Sequence, residues 1–372
     1  MSGNTDGIKK IMFHINSLGK GGAERVVVNL SEQFVKMGIE TVIATIWRAD
    51  DEYSHSDTIR RVNLETPGDA DMSASALRSE RRRRLHKLIK EEKPDCVLSF
   101  CRNANYRSIS AAIGTGVQVI FSVRSDPKVD YKPKKERLLS RIFYKMAAGG
   151  VFQTEEARSF FKGSIAGKST VILNPLNEAF LNRPKAQVRR NVIASSGRFN
   201  EAKDQMLLIH AFENIMADYP DYTLEMYGAP SEDNTFEEIS NYVKDHGLGE
   251  RVLFMGNRND LYNCLSDVAV YVLPSKYEGM PNALIEAMAL SVPVISTDCP
   301  CGGPRMLIED GENGLLVEVE NVKEMTAAIR NYLKDPEAAE RLAENAGKIT
   351  ERVTPEKIAI EWLDYIKAVC RK

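Results

Sequence analysis

The chain has 372 residues, of which 43% are hydrophobic and 27% are charged, and its formal net charge is −2. This length exceeds that of a typical single core and predicts about two domains, while the composition excludes a disordered or low-complexity chain. The charge is uneven, because residues 1–184 carry +9 and residues 185–372 carry −11. This asymmetry suggests an anionic partner for the first half.

The first ten residues are polar and lack the apolar region of a secretory signal, and no apolar run approaches the roughly 18 residues of a membrane span. We therefore expect a cytoplasmic protein whose membrane contact is peripheral. Six cysteines without paired spacing argue against a disulfide framework and a zinc site. The five histidines have no ligand spacing, so structural or solvated positions are expected for them.

The first half alternates predicted strands and helices. An apolar segment, 8–16, is followed by a turn that contains Gly19, Gly21 and Gly22, and then by a helical pattern over 23–37. Strand, glycine loop and helix in this order open many nucleotide-binding folds. Further strands are predicted at 40–47, 96–101, 117–123 and 149–153, with helical patterns between them, which predicts a parallel sheet.

The second half repeats this alternation. Strands are predicted at 191–196, 223–227, 252–255, 268–273, 292–296 and 314–317, and helices at 204–219, 282–289 and 322–334. These elements predict a second doubly wound domain over 185–354, after a first domain over 1–184. The last segment, 355–372, has no strand partner of its own and is predicted to pack back across a cleft between the two domains.

The most specific segment runs from Pro274 to Ala289 and contains Glu278 and Glu286, eight positions apart. Glu278 lies in a loop after an apolar strand, and Gly279 permits close approach of the backbone to a ligand. A helix then begins, with its unpaired N–H groups facing the loop. This arrangement suits a sugar diphosphate.

Two glutamates at this spacing after a buried strand resemble the signature of family 4 retaining glycosyltransferases. Four other segments are similar to parts of the same family: 19–25 (GKGGAER), 196–203 (SGRFNEAK), 298–305 (DCPCGGPR) and 310–317 (DGENGLLV). The resemblance covers nearly the whole chain. It implies the α/β GT-B fold, with two Rossmann-like domains that face a central cleft.

The resemblance also implies functions for individual residues. Arg198 and Lys203 would neutralise the donor diphosphate and its leaving charge. Glu278 would bind hydroxyls of the donor sugar, and Glu286 would bind both ribose hydroxyls. No cofactor or metal is implied, because basic residues and a helix terminus carry the charge. The remaining donor contacts would come from the backbone at Gly21, Gly22, Gly279, Met280 and Pro281.

One position departs from the usual family pattern. Many relatives carry a histidine after the strand that corresponds to 117–123, and Arg124 stands there in this chain. An arginine at this position resembles the pattern of the subgroup that builds bacterial capsular or lipid-linked glycans. This subgroup includes N-acetylgalactosaminyltransferases. It favours contact with a donor or acceptor phosphate and leaves the base assignment open. The implied acceptor is a polyprenyl-diphosphate-linked glycan, and the implied donor is a UDP-linked hexose or N-acetylhexosamine.

Two basic stretches, 78–90 and 132–145, are predicted to form amphipathic helices. They lead us to expect peripheral docking on the anionic inner face of the cell membrane, although solvated helix faces explain them equally well. A nucleotide-sugar epimerase and a non-enzymatic membrane scaffold remain alternatives. An NAD-dependent oxidoreductase is disfavoured because Glu24 occupies the third glycine position of its fingerprint. No nucleic-acid partner is expected, since the basic stretches contain few aromatic residues.

Overall fold

The structure is a computed structural model that describes residues 7–19 and 21–370. The chain divides into two compact units, one formed by residues up to Pro175 together with those from Pro355 onward, and the other by Leu176–Thr354. The sequence analysis placed the domain boundary after residue 184, whereas the structure divides between Pro175 and Leu176. The reason is local, because the N–H of Leu176 donates to the carbonyl of Val353 at 2.8 Å.

The first unit contains a seven-stranded parallel sheet in the order β3-β2-β1-β4-β5-β6-β7. Its central strands are apolar and buried on both faces, as expected for a parallel sheet that helices cover. The strands are β1 (Lys10–His14), β2 (Glu40–Thr45), β3 (Arg60–Asn63), β4 (Cys96–Phe100), β5 (Gln118–Ser122), β6 (Gly149–Phe152) and β7 (Ser169–Val171).

The helices of this unit follow the strands in chain order. The first of them buries Val26, Val27, Leu30 and Phe34 against the sheet, which is the face that the apolar spacing predicts. The helices are α1 (Gly22–Lys36), α2 (Ala74–Glu92), α3 (Arg102–Ala112), α4 (Pro127–Asp130), α5 (Lys134–Met146), α6 (Glu155–Phe160) and α7 (Ser164–Gly167).

The second unit contains a six-stranded parallel sheet in the order β10-β9-β8-β11-β12-β13. Its strands are β8 (Arg190–Ser196), β9 (Thr223–Tyr227), β10 (Val252–Gly256), β11 (Val268–Leu273), β12 (Val294–Thr297) and β13 (Leu315–Val317). Its helices are α8 (Gln205–Glu213), α9 (Thr235–Asp245), α10 (Leu261–Leu265), α11 (Asn282–Ala289), α12 (Gly303–Leu307), α13 (Val322–Lys334), α14 (Pro336–Gly347) and α15 (Thr350–Val353). Counted within each unit, the first six strands of both sheets follow the doubly wound Rossmann order.

The final helix, α16 (Pro355–Cys370), belongs to the core of the first unit. Trp362 is buried and its ring stacks on Phe100 with centroids 5.6 Å apart. The N–H of Gly150 on β6 donates to the hydroxyl of Tyr365 at 2.8 Å. The sequence analysis predicted that 355–372 packs back across a cleft after the second domain, and the structure places the apolar face of this helix in the core of the first unit.

Within the part of the chain that the structure describes, no helix combines the length and the apolar character needed to cross a bilayer.

Candidate active site

Strands β8 and β11 lie side by side in the second sheet, and the strand order reverses between them. Ligands of open parallel sheets bind at the carboxyl ends of the strands at such a reversal. The segment 197–203 follows β8, and the segment 274–281 follows β11. The topology therefore brings the predicted diphosphate residues and Glu278 to the same edge of the sheet.

An ion pair joins these two segments. Lys203 Nζ contacts Glu278 Oε1, and the hydroxyl of Ser275 donates to the same oxygen at 2.8 Å. The backbone adds a second link, because the N–H of Lys276 donates to the carbonyl of Ala202 at 2.8 Å. The Lys203 and Glu278 side chains are 24% and 12% exposed, so both are accessible to a ligand.

A short 3-10 turn, Glu201–Lys203, presents the lysine. Asn200 caps this turn, because its Oδ1 accepts from the N–H of Lys203 at 3.2 Å. Arg198 is exposed at the start of the same segment, and its carbonyl accepts from Gln205 Nε2 at 2.8 Å. Both predicted diphosphate-binding cations thus lie in one loop whose backbone is fixed by amide side chains.

The loop after β12 holds the backbone of Glu278 in place. The N–H of Glu278 donates to the carbonyl of Pro300 at 2.8 Å, and its carbonyl accepts from the N–H of Cys301 at 3.1 Å. Gly303 packs so tightly here that an added Cβ would lie 1.8 Å from the carbonyl oxygen of Gly279. The Cys299 thiol lies in the same loop, where burial, and secondarily the charge of Glu278, raises its pKa to about 12.

Helix α11 starts directly after the Glu278 loop. Pro281 is its N-cap residue and makes no side-chain capping hydrogen bond, and Met280 before it is buried. Glu286 lies on this helix and is only 3% exposed. The two glutamates therefore occupy different environments, one in an accessible loop and one in the interior, as the position of Pro281 in the sequence indicates.

The first unit places Arg124 just after β5. Its Nη2 donates to Asn174 Oδ1, and its guanidinium carbon lies 5.5 Å from the centroid of the Phe100 ring. Its Nε is buried and has no hydrogen-bond partner among the residues that the structure describes. Burial lowers the pKa of Arg124 to about 10. Among the described residues no carboxylate forms an ion pair with it, so an anion would stabilise this position.

A second half-buried arginine, Arg107 on α3, was missed by the sequence analysis. Its Nη1 contacts His14 Nε2 at 2.9 Å and donates to Asn16 Oδ1 at 3.2 Å. His14 Nδ1 contacts the carbonyl of Ala44 at 2.8 Å, which assigns the proton to Nδ1 and leaves Nε2 as the acceptor. Burial is the main cause that lowers the pKa of His14 to about 3 and that of Arg107 to about 10.

The glycine loop belongs to the first unit, whereas Arg198, Lys203 and the Glu278 loop belong to the second unit. Gly21 is the N-cap of α1 without a side-chain capping bond, and Gly22 begins the helix. Lys20 lies outside the described residues. The preceding turn is held by Glu52, whose Oε1 accepts from the N–H of Leu18 at 3.3 Å.

No three His, Cys, Asp or Glu side chains group as a metal site would require, within the ranges that the structure describes.

Two family descriptions match the chain. "Glycosyltransferase Family 4" matches residues 20–180, and "Glycosyl transferases group 1" matches residues 177–349. The chain belongs to glycosyltransferase family 4. The resemblance inferred from the sequence is thereby confirmed, and the protein is a glycosyltransferase.

Two relatives of this family 4 glycosyltransferase come from Campylobacter jejuni. One is 26% identical over 97% of this chain and 99% of its own length, and is named an α-1,4-N-acetyl-D-galactosaminyltransferase of a GalNAc–GalNAc–diNAcBac-PP-undecaprenol. The other is 25% identical over 96% of this chain and 100% of its own length, and is named a 4-α-N-acetylgalactosaminyltransferase of an N,N'-diacetylbacillosaminyl-diphospho-undecaprenol carrying N-acetylgalactosamine. Both names specify a lipid-linked acceptor.

The crystal structure of Anabaena HepE in complex with UDP is similar to this glycosyltransferase. It superimposes with a TM-score of 0.80 at 16% identity, over 97% of this chain and 100% of that chain. This similarity concerns the fold and confirms the predicted GT-B class, with two Rossmann-like domains.

Proposed function

We propose that this glycosyltransferase moves a hexose or N-acetylhexosamine, with retention of anomeric configuration, from a UDP-linked donor to a polyprenyl-diphosphate-linked glycan. The product would serve cell-surface polysaccharide or glycan biosynthesis. The observation that carries the proposal is the contact of Lys203 with Glu278 at the strand-order reversal, beside the exposed Arg198. At this edge of the second sheet, the two cations can bind the diphosphate of a nucleotide sugar, and the carboxylate can bind hydroxyls of its sugar.

The contact leaves both groups able to bind a donor. An ammonium has three donors and a carboxylate has two oxygens, so Lys203 can bridge Glu278 and a phosphate, while Glu278 Oε2 accepts from a sugar hydroxyl. As the glycosidic bond breaks, negative charge grows on the diphosphate, where Lys203 and Arg198 stabilise it. The acceptor hydroxyl attacks the anomeric carbon on the face that the diphosphate leaves, and a diphosphate oxygen takes its proton.

Two observations support a lipid-linked acceptor. The Campylobacter jejuni relatives are named for acceptors built on undecaprenyl diphosphate. In this chain, the half-buried Arg124 forms no ion pair with a carboxylate among the described residues and fits contact with a phosphate. Arg124 stays charged near neutral pH and so does not act as the base. The proton of the acceptor hydroxyl therefore goes to an oxygen of the donor diphosphate.

Peripheral membrane docking is part of the proposal, with α5 as its main element. Leu138, Ile142 and Met146 are 60%, 49% and 53% exposed on this helix, and basic residues flank them. The cations of α2 are less available, because Arg81 pairs with Glu65, and Arg83 and Arg84 also contact carboxylates. Each available cation near an anionic surface contributes about 1 kcal/mol, with attraction that decays over about 8 Å at physiological salt.

The donor is tested by thermal unfolding with UDP-, GDP- and ADP-sugars. A ligand at 100 times its dissociation constant stabilises by about 2.7 kcal/mol, so the UDP-sugar should give the largest shift. Transfer is then measured with and without a lipid-linked acceptor, and the anomeric configuration of the product is read by NMR. A larger shift with another nucleotide, isomerised donor without acceptor, or an inverted product would each overturn the corresponding part of the proposal.

Docking is tested by co-sedimentation with neutral and with anionic vesicles at low and high salt. The comparison variant carries glutamate in place of Arg81, Arg82, Lys134 and Lys135. Wild type should bind anionic vesicles at low salt and dissociate from them at high salt, and the variant should bind anionic vesicles more weakly than wild type. Equal binding of both proteins to both vesicle types, or no binding of wild type at low salt, would contradict docking.

A further inference from the structure

The first unit contains a surface cavity of about 500 Å³ that the proposed donor and acceptor contacts do not use. Helix α5 forms one side of it with Arg137, Arg141 and Lys145, and the segment around α6 and α7 forms the other with Lys162 and two phenylalanines. All four cations are exposed at the cavity. None of the described residues that line it is a carboxylate.

These four cations are electrostatically uncompensated. Within the described part of the chain none of them forms an ion pair, and Arg137 uses only Nε, which donates to the carbonyl of Tyr131 at 3.1 Å. Neighbouring carboxylates are engaged elsewhere, since Glu136 contacts Arg102 and Glu155 contacts Arg158. A concave site with four available cations and no acid is complementary to an anion that has several oxygens, such as a phosphate group.

The floor and the rim add an apolar component. Phe161 is buried at the cavity, and Phe160 is partly buried beside it. The three cations of α5 are four residues apart and form one row along the helix. The exposed apolar row Leu138, Ile142 and Met146 is displaced from it by one residue and runs parallel to it. A free phosphate would use the first row alone, whereas a lipid would use both.

We propose that this cavity binds the phosphate headgroup of an anionic membrane lipid while the adjacent apolar row of α5 enters the acyl region. The inference deepens the peripheral docking proposed above and rests on it. The cavity would bind one lipid headgroup at a defined site, in addition to the non-specific attraction between the cations and the anionic surface. The affinity for vesicles should therefore depend on the position of the cations that are removed, and not only on their number.

The test compares two double variants with equal charge loss on vesicles of phosphatidylglycerol in phosphatidylcholine. Arg141→Gln with Lys162→Gln removes two cavity cations, and Lys134→Gln with Lys135→Gln removes two from α5 outside the cavity. The cavity variant should lose at least about tenfold more affinity than its comparator. Both should keep the wild-type unfolding midpoint, because all four side chains are exposed.

The outcomes separate this site from docking in general. Equal losses for the two double variants would overturn the cavity site and leave docking intact, whereas wild type that ignores anionic vesicles would overturn docking itself. Ile142→Ser should also weaken vesicle binding without changing the thermal shift with the UDP-sugar. Inorganic phosphate that stabilises the protein through Arg141 and Lys162, with vesicle affinity unchanged in the cavity variant, would assign the site to free phosphate and overturn the lipid proposal.

Discussion

Lys203 Nζ pairs with Glu278 Oε1 across the carboxyl ends of β8 and β11, although the two residues are 75 positions apart. Each group is held by its own loop, since Asn200 caps the turn of the lysine and Ser275 donates to the carboxylate. Neither charge is saturated by the other. Both groups therefore keep hydrogen-bonding capacity for a ligand, as the proposed sugar-diphosphate donor requires.

Replacing Lys203 or Arg198 should slow transfer strongly if they bind the donor diphosphate as proposed. We expect Lys203→Ala and Arg198→Ala each to lower kcat/KM by roughly a hundredfold, equivalent to about 3 kcal/mol of transition-state stabilisation. Steady-state kinetics with saturating acceptor measure the effect. Arg258→Ala is the control, because this arginine pairs with Asp260 on the surface of the same unit. Losses below about threefold would mean that Lys203 and Arg198 are ordinary surface charges.

The two glutamates should differ in the kinetic constant that they control. Glu286→Ala should raise the KM for the donor, because ribose contacts persist from ground state to transition state, whereas Glu278→Ala should mainly lower kcat. UDP without a sugar should still stabilise Glu278→Ala against heat, but not Glu286→Ala. Glu286→Gln serves as a second variant, since this side chain is buried and alanine leaves a space there. Wild-type constants for both positions would refute the assignment.

Gly303 should tolerate no side chain. A Cβ there would lie 1.8 Å from the Gly279 carbonyl oxygen and 2.9 Å from Pro281 Cδ, so Gly303→Ala must displace the Glu278 loop. We expect a loss of about 1–3 kcal/mol in stability, together with lower activity. Gly249→Ala is the matched control, because a Cβ there meets nothing within 4 Å. Unchanged unfolding and kinetics of Gly303→Ala would show that the loop is not fixed by this contact.

Parts of the second unit followed directly from the sequence. Strand Val268–Leu273 and helices Asn282–Ala289 and Val322–Lys334 have the predicted bounds. The strand is a continuous apolar run, and the helices have regular apolar spacing, so a local pattern was sufficient. The helix predicted over 204–219 ends earlier, at Glu213, and irregular turns follow.

Other features required tertiary contacts that no local pattern encodes. Strands Arg60–Asn63 and Ser169–Val171 lie at the edges of the first sheet, are short and polar, and were not predicted. The contact between Arg107 and His14 joins positions 93 apart. Burial is the main reason why the pKa of His14 is lowered, and the charge of Arg107 adds to it, which only the tertiary structure reveals. The cavity beside α5 likewise depends on how distant helices pack.

Arg124 should lower stability in exchange for activity. Its half-buried side chain has a buried Nε without a hydrogen-bond partner among the described residues, and burial lowers its pKa to about 10. We expect Arg124→Met to raise the unfolding temperature by at least about 2 °C, because an apolar side chain of similar length avoids the desolvation cost. Transfer to a lipid-linked acceptor should fall at least about tenfold. A variant that is both less stable and fully active would contradict this view of Arg124.

Glu52 should make the first unit sensitive to acid. Its carboxylate pairs with Arg61 and accepts from the N–H of Ala49 at 2.8 Å. The hydrogen bond from Arg61 is the main cause that lowers the pKa of Glu52 from its ordinary 4.5 to about 2. A carboxyl group whose pKa is lower in the folded state than in the unfolded chain stabilises the folded state, and this stabilisation is complete when the pH is above the pKa of the unfolded chain. Its contribution, about 2 kcal/mol, is therefore present above about pH 4.5 and is lost as the pH falls toward 2.

Glu52→Gln should remove this dependence on pH. We expect the variant to be less stable than wild type by about 2 kcal/mol at pH 7 and nearly as stable as wild type near pH 2.5. Urea unfolding followed by tryptophan fluorescence isolates the first unit, because both tryptophans, Trp47 and Trp362, belong to it. Glu91→Gln is the control, since Glu91 is exposed and its Oε1 lies 3.6 Å from Lys87 Nζ. If Glu52→Gln and wild type lose the same free energy of unfolding between pH 5 and pH 2.5, the carboxylate of Glu52 does not hold the turn before the glycine loop.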